Sequence, residues 1–143
     1  MPAGDKQTAT LRALLTGKFD LYKEMLGDLV TDDDKRGYLD LVAGAFVKMA
    51  RLTFDKEDDV TAAVVEWVGK IRSRNEASAE NFDPVICEEV LLFGLGKSEA
   101  KGLRGRQIRD VELLLLPALV HDAGLSEAEI DQLLSTARKL AND

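Results

Sequence analysis

Apolar positions recur every third or fourth residue along most of this chain, and that spacing divides it into helices. Val60, Ala63, Val64, Trp67, Val68 and Ile71 fall at i, i+3, i+4, i+7, i+8 and i+11, the imprint of one buried helix face. Ile130, Leu133, Leu134, Ala137 and Leu140 repeat the pattern near the C-terminus. A first helix is predicted from about Thr8 to Thr16, with Leu11, Leu14 and Leu15 inward and Gly17 at its C-terminal turn. A second follows after a sharp corner, from about Phe19 to Val30. Phe19, Tyr22, Leu26 and Leu29 form one face, and Asp20, Lys23, Glu24 and Asp28 look outward.

The third helix is predicted to be the hub. Thr31 or one of Asp32, Asp33 and Asp34 caps it, and carboxylates suit the positive end of a helix dipole. From Tyr38 to Leu52 its charges are Asp40, Lys48 and Arg51, which with Gly44 make one narrow stripe. A helix apolar on most of its sides must be surrounded by others. Asp55, or the run Glu57 to Asp59, starts the fourth helix, which ends near Arg74; its valine content favours strand locally, but spacing and length decide for helix.

A polar loop spans Asn75 to Asn81. Asp83 and Pro84 then form an N-cap and N1 pair opening a fifth helix, which stops at Gly94 and Gly96. A sixth helix begins near Leu103 to Gln107 and carries Leu113 to Leu116; Pro117 predicts a kink or short break within it. Gly124 closes that segment, and Ser126 with Glu129 forms a capping box for the last helix. The pattern predicts an all-α fold, a single compact bundle of about six to seven helices with residues 1–143 as one domain.

Composition narrows the function without naming it. The chain has 143 residues, 45% apolar and 31% charged, which suits an ordinary globular core. One cysteine excludes an intrachain disulfide framework and a multi-thiolate metal centre, and a cytoplasmic setting follows most simply. The N-terminal MPAGDKQT lacks the layout of a signal peptide, and the greasy run from Val111 to Val120 is interrupted by Glu112 and Pro117. The expectation is no membrane association. A net charge of −7 disfavours nucleic acid as a partner.

Candidate chemistry is sparse. Asp32, Asp34 and Asp40 fit some positions of a calcium loop, but Arg36 stands where an oxygen ligand belongs and Ala43 where the bidentate glutamate belongs. Asp55, Glu57, Asp59 and Glu66 make a second partial match, with Val60 where the turn needs glycine. The simpler reading of both is acidic helix N-termini. His121 lies three residues before Gly124, in a last helical turn where a cation is favoured, and has no metal-ligand spacing around it. Cys87 reads as a small buried hydrophobe, and Glu88 and Glu89 do not form an acid/base pair. A helix-turn-helix over Leu119 to Leu134 would aim Glu127, Glu129 and Asp131 at phosphates.

Lys97, Lys101, Arg104, Arg106 and Arg109 form the one basic tract, suited to an acidic partner, a phosphate or, as favoured here, acidic patches of the same chain. Phe54, Phe82 and Phe93 stand at helix ends or connectors, where they either pack or mark an exposed patch. The reading is a non-enzymatic protein-interaction or regulatory module, with self-association as a homodimer one form of it and no cofactor implied. The alternative is a small-ligand or divalent-metal-binding helical domain using the acidic helix N-termini. An enzyme, built from carboxylates, Tyr22, Tyr38 and the basic tract, ranks last because no organised set of roles is visible.

Overall fold

Residues 32 to 54 form the longest helix, α3 (Asp32–Phe54), and most of the others assemble around it. The computed structural model describes residues 4–74 and 83–142. In chain order the remaining helices are α1 (Asp5–Leu15), α2 (Phe19–Gly27), α4 (Val60–Arg74), α5 (Pro84–Gly94), α6 (Gly105–Ala123) and α7 (Glu127–Asn142). There is no strand among the described residues, and no helix among them is long and apolar enough to cross a membrane. The fold is an all-α bundle.

Thr31 caps α3: its Oγ1 accepts the Asp34 amide at 3.0 Å, and Asp32, Asp33 and Asp34 fill the first turn. Tyr38, Leu41, Val42, Ala45, Phe46, Met49, Ala50 and Phe54 are buried along the helix, and α6 and α7 cover most of that surface. The stripe holding Asp40, Gly44, Lys48 and Arg51 is not wholly outward. A Cβ on Gly44 would stand 3.1 Å from the Ala137 carbonyl oxygen, so the absence of a side chain lets α7 lie close on α3. Ionic contacts tie α7 to α1, with Arg12 reaching Asp131 at 2.7 Å and Arg138 reaching Asp5 at 2.8 Å.

Local capping follows the sequence closely. Asp83 Oδ1 accepts the amides of Val85 and Ile86, Ser126 and Glu129 exchange the two bonds of a capping box, and Gly124 is left-handed at φ 65°. Three boundaries differ from expectation. The first helix starts at Asp5 rather than near Thr8, because the Gln7 side chain accepts the Gly4 amide at 3.0 Å and donates to the Asp34 carbonyl. The second ends at Gly27 rather than Val30, since the chain turns there to bury Leu29 and leaves Val30 outside. The third difference is Pro117: α6 continues through it unbroken. Burial of Leu115, Leu116, Leu119 and Val120 on both sides of the proline holds the helix together, and the cost is one missing donor for the Leu113 carbonyl.

The α4 helix packs on α5 and joins α3 through its aromatic end, where Phe54 and Trp67 meet edge to face at 6.1 Å. Asp122, in the last turn of α6, accepts Trp67 Nε1–H at 3.0 Å and an Arg74 guanidinium bond. A carboxylate at a helix C-terminus opposes the dipole, and these two donors offset that.

Candidate interaction surface

The α2 helix has the sequence Phe-Asp-Leu-Tyr-Lys-Glu-Met-Leu-Gly, and on a helical projection Leu21, Met25, Tyr22, Leu26 and Phe19 occupy one arc of roughly 160°. An arc that wide is a core-facing stripe. Yet no residue of α2 is buried. Phe19 is 59% exposed and Leu26 40%, with Leu21 comparably open; Val30, just beyond the helix, is 73% exposed. The helix rests on α1 and reaches α3 through a bond between the Tyr22 and Tyr38 hydroxyls at 2.8 Å. Burial, then the Tyr22 hydroxyl, raises the Tyr38 phenol above its ordinary range, so the Tyr38 ring is neutral.

Two clefts separate α2 from α6. One, about 310 Å³, is lined by Tyr22, Leu26 and Leu29 on one side, Lys35, Tyr38 and Leu39 of α3, and Leu113 of α6. The other, about 630 Å³, lies between the α1–α2 corner, with Phe19, and Pro117, Ala118 and His121 of α6, and it is closed below by Leu125, Glu127 and Ile130. Phe19, Tyr22 and Leu26 are at i, i+3 and i+7, and Leu113, Pro117 and His121 at i, i+4 and i+8, so each helix presents one continuous wall. Taken together, the two clefts make a trough whose lining is apolar apart from Thr16, His121 and Glu127 in the larger and Lys35 and the tyrosine hydroxyls in the smaller. The carbonyl freed by Pro117 belongs to Leu113, on this same wall.

The residues singled out from sequence are distributed around the molecule. Asp32 and Asp34 lie within the first turn of α3, where Asp34 holds Lys6 at 3.3 Å and the Lys6 and Thr31 contacts lower its carboxyl pKa against desolvation. Asp40 is exposed two turns further along the same helix. Asp55 caps the C-terminus of α3, Glu57 is in the connector, Asp59 accepts the Ala62 amide at the start of α4, and Glu66 pairs with Lys70 at 3.4 Å. The two acidic runs thus stand at opposite ends of a 23-residue helix, about 33 Å apart. Residues 32–43 are helical throughout, whereas a calcium loop must curl around its ion. No group of three or more His, Cys, Asp or Glu among the described residues is arranged to hold a metal ion.

The basic tract occupies the α5–α6 connector and the start of α6. Lys101 pairs with its neighbour Glu99 at 3.2 Å, both well exposed; Arg104 is the N-cap of α6, and Arg106 and Arg109 project from its first turns into solvent. Lys97, Arg104, Arg106 and Arg109 make no ion pair within 4 Å among the described residues. Of the acidic cover expected from this chain, the tract has the Lys101–Glu99 pair and the action of Arg109 on Glu112. Phe54 is buried, Phe93 is exposed, and Phe82 lies outside the described residues.

Cys87 is buried, and burial first, with Asp83 and Glu88 adding to it, pushes its thiol up to about 12, so it is an inert core group. His121 is exposed in the last turn of α6 and faces the larger cleft. The residue the sequence concealed is Glu112. It is 6% exposed on the inward side of α6, where burial pushes its carboxyl up to about 7 and Arg109 only partly opposes that shift. Its register was the available signal: Glu112, Leu115, Leu116 and Leu119 fall at i, i+3, i+4 and i+7. Of the groups an enzyme reading required, Tyr22 and Tyr38 do converge, but neither a carboxylate nor a residue of the basic tract lines their cleft. Comparison with family models, curated proteins and solved structures finds no match to this chain.

Proposed function

We propose that this chain is a non-enzymatic protein-binding module, and that the trough between α2 and α6 receives an amphipathic helix from a protein partner. The observation that carries this reading is α2 itself: a helix with a core-type apolar arc and no buried residue. Each large apolar side chain that a partner covers contributes roughly 1.5–3 kcal/mol. Phe19, Leu26 and Leu113 would supply the anchors on this side. A groove between two helices, lined by apolar side chains at i, i+3, i+4 and i+7 spacing, suits helix-in-groove recognition. The inert Cys87 and the neutral Tyr38 fit a binding role, and a single buried thiol suits a cytoplasmic setting.

The test is an NMR titration of the full chain with soluble helical peptides carrying leucine at i, i+4 and i+7 and polar residues elsewhere. Amide shifts concentrated at Phe19, Tyr22, Leu26, Leu113 and His121, and suppressed by Leu26→Asp, are the expected result. Shifts spread over other faces, or none from any peptide of the set, would overturn the reading.

A further inference from the structure

The trough is electrically lopsided, and this bears on what enters it. On α6, Arg106, Arg109, Leu113 and Pro117 lie at i, i+3, i+7 and i+11, so two arginines with no ion pair within 4 Å among the described residues continue the Leu113 wall toward the helix N-terminus. Across the cleft from Leu113 stands Lys35, and Lys23 follows the exposed edge of α2 beside Phe19 and Leu26. The positive pole of the α6 dipole adds to these charges, because the first turn of α6 has no acidic residue. The carboxylates near this end are otherwise engaged or turned away: Asp34 holds Lys6, Asp32 is at i−3 from Lys35, Asp110 turns with Asp83 toward a separate cleft on the α5 side, and Glu112, at i+3 from Arg109, is buried on the inward side of α6. The opposite end of the trough is lined by Glu127, already held by Arg12 at 3.3 Å.

Resting on the trough being a helix-binding groove, we infer that its occupant is an acidic amphipathic helix whose carboxylates cluster at the end lying over Arg106, Arg109 and Lys35. The placement explains cations where the helix dipole disfavours them. Among the described residues Arg106 has no internal ion pair and Arg109 acts only on the buried Glu112, and both stand beside the apolar wall in position to select the sign and direction of what docks. Charges on the rim set specificity and association rate more than total affinity.

Three peptides with one leucine stripe distinguish the possibilities: the first with glutamates at one end, the second with glutamines there, the third with lysines. The expected order is acidic, then neutral, then basic, with about tenfold between the first two at low salt and a smaller ratio at 0.5 M salt. The double variant Arg106→Glu/Arg109→Glu is expected to invert the order; it also places carboxylates at a helix N-terminus, which favours folding. Equal binding of the three peptides, or an order unchanged by the double variant, overturns the charge inference and leaves the groove reading standing. Failure of all three to perturb the trough removes both.

Discussion

Helices α7 and α2 both flank α1, and both carry an apolar stripe of the width that normally meets a core. In α7 the stripe is consumed except at its last position, Leu140: Ile130, Leu133, Leu134 and Ala137 are buried, and a close approach at Gly44 seats the helix on α3. In α2 the corresponding stripe meets two clefts. The distinction is not in hydrophobicity but in what stands opposite. α3 offers α7 a groove with no Cβ at its closest point, whereas α6 offers α2 a wall set back from it. An amphipathic helix records that something covers it, and the remainder of the chain decides whether that cover is internal.

The largest expected effect on this contrast is in the core. Leu134→Ala should destabilise the chain by about 3 kcal/mol in urea unfolding, the cost of a buried cavity. Leu26→Ala should change stability by less than about 0.5 kcal/mol. Similar losses at the two positions would mean that α2 is as integral as α7.

Next comes Glu112, on the inward side of α6. Its carboxyl holds a proton up to about pH 7 in the folded chain and to an ordinary 4.5 unfolded, so the folded state binds more protons between those values. Stability therefore falls as pH rises from about 4.5 to about 7 and is flat above. Glu112→Gln should remove that fall and raise stability at pH 8 by on the order of 2 kcal/mol, with little change at pH 4. A wild-type stability that climbs across this window, unaltered by the substitution, would place Glu112 outside the core.

A smaller effect, about 1 kcal/mol, is expected of Ser126→Ala, which deletes half of the box that starts α7. Smallest in free energy but direct for the comparison is amide exchange. The α2 amides should exchange faster than those of α7 centred on Leu133 and Leu134, because a helix with no buried residue opens without unfolding the rest.

Much of the fold was legible because helix ends are local. Asp83-Pro84, Ser126 with Glu129, and Gly124 each satisfy nearby backbone groups, and they act the same way in any surroundings. The Gly4 start escaped notice because its cap is supplied by Gln7, whose second bond goes to α3. At Pro117 the break that the local penalty allows does not occur, because buried leucines on either side keep the helix continuous. The trough was the least readable feature. Phe19, Tyr22 and Leu26 spell a buried face, and nothing within α2 says that α6 stands too far away to bury it. Glu112 was hidden by its chemistry, since a lone carboxylate among leucines reads as an outward interruption.

Cys87 gives the chain an internal clock. Its sulfur is buried between α5 and α6, at the floor of a small cleft, and stays protonated at neutral pH. Alkylation is expected to quicken when those helices part. With one thiol in the whole sequence, the pace of labelling counts openings of the interior alone, while motions of α2 pass unrecorded.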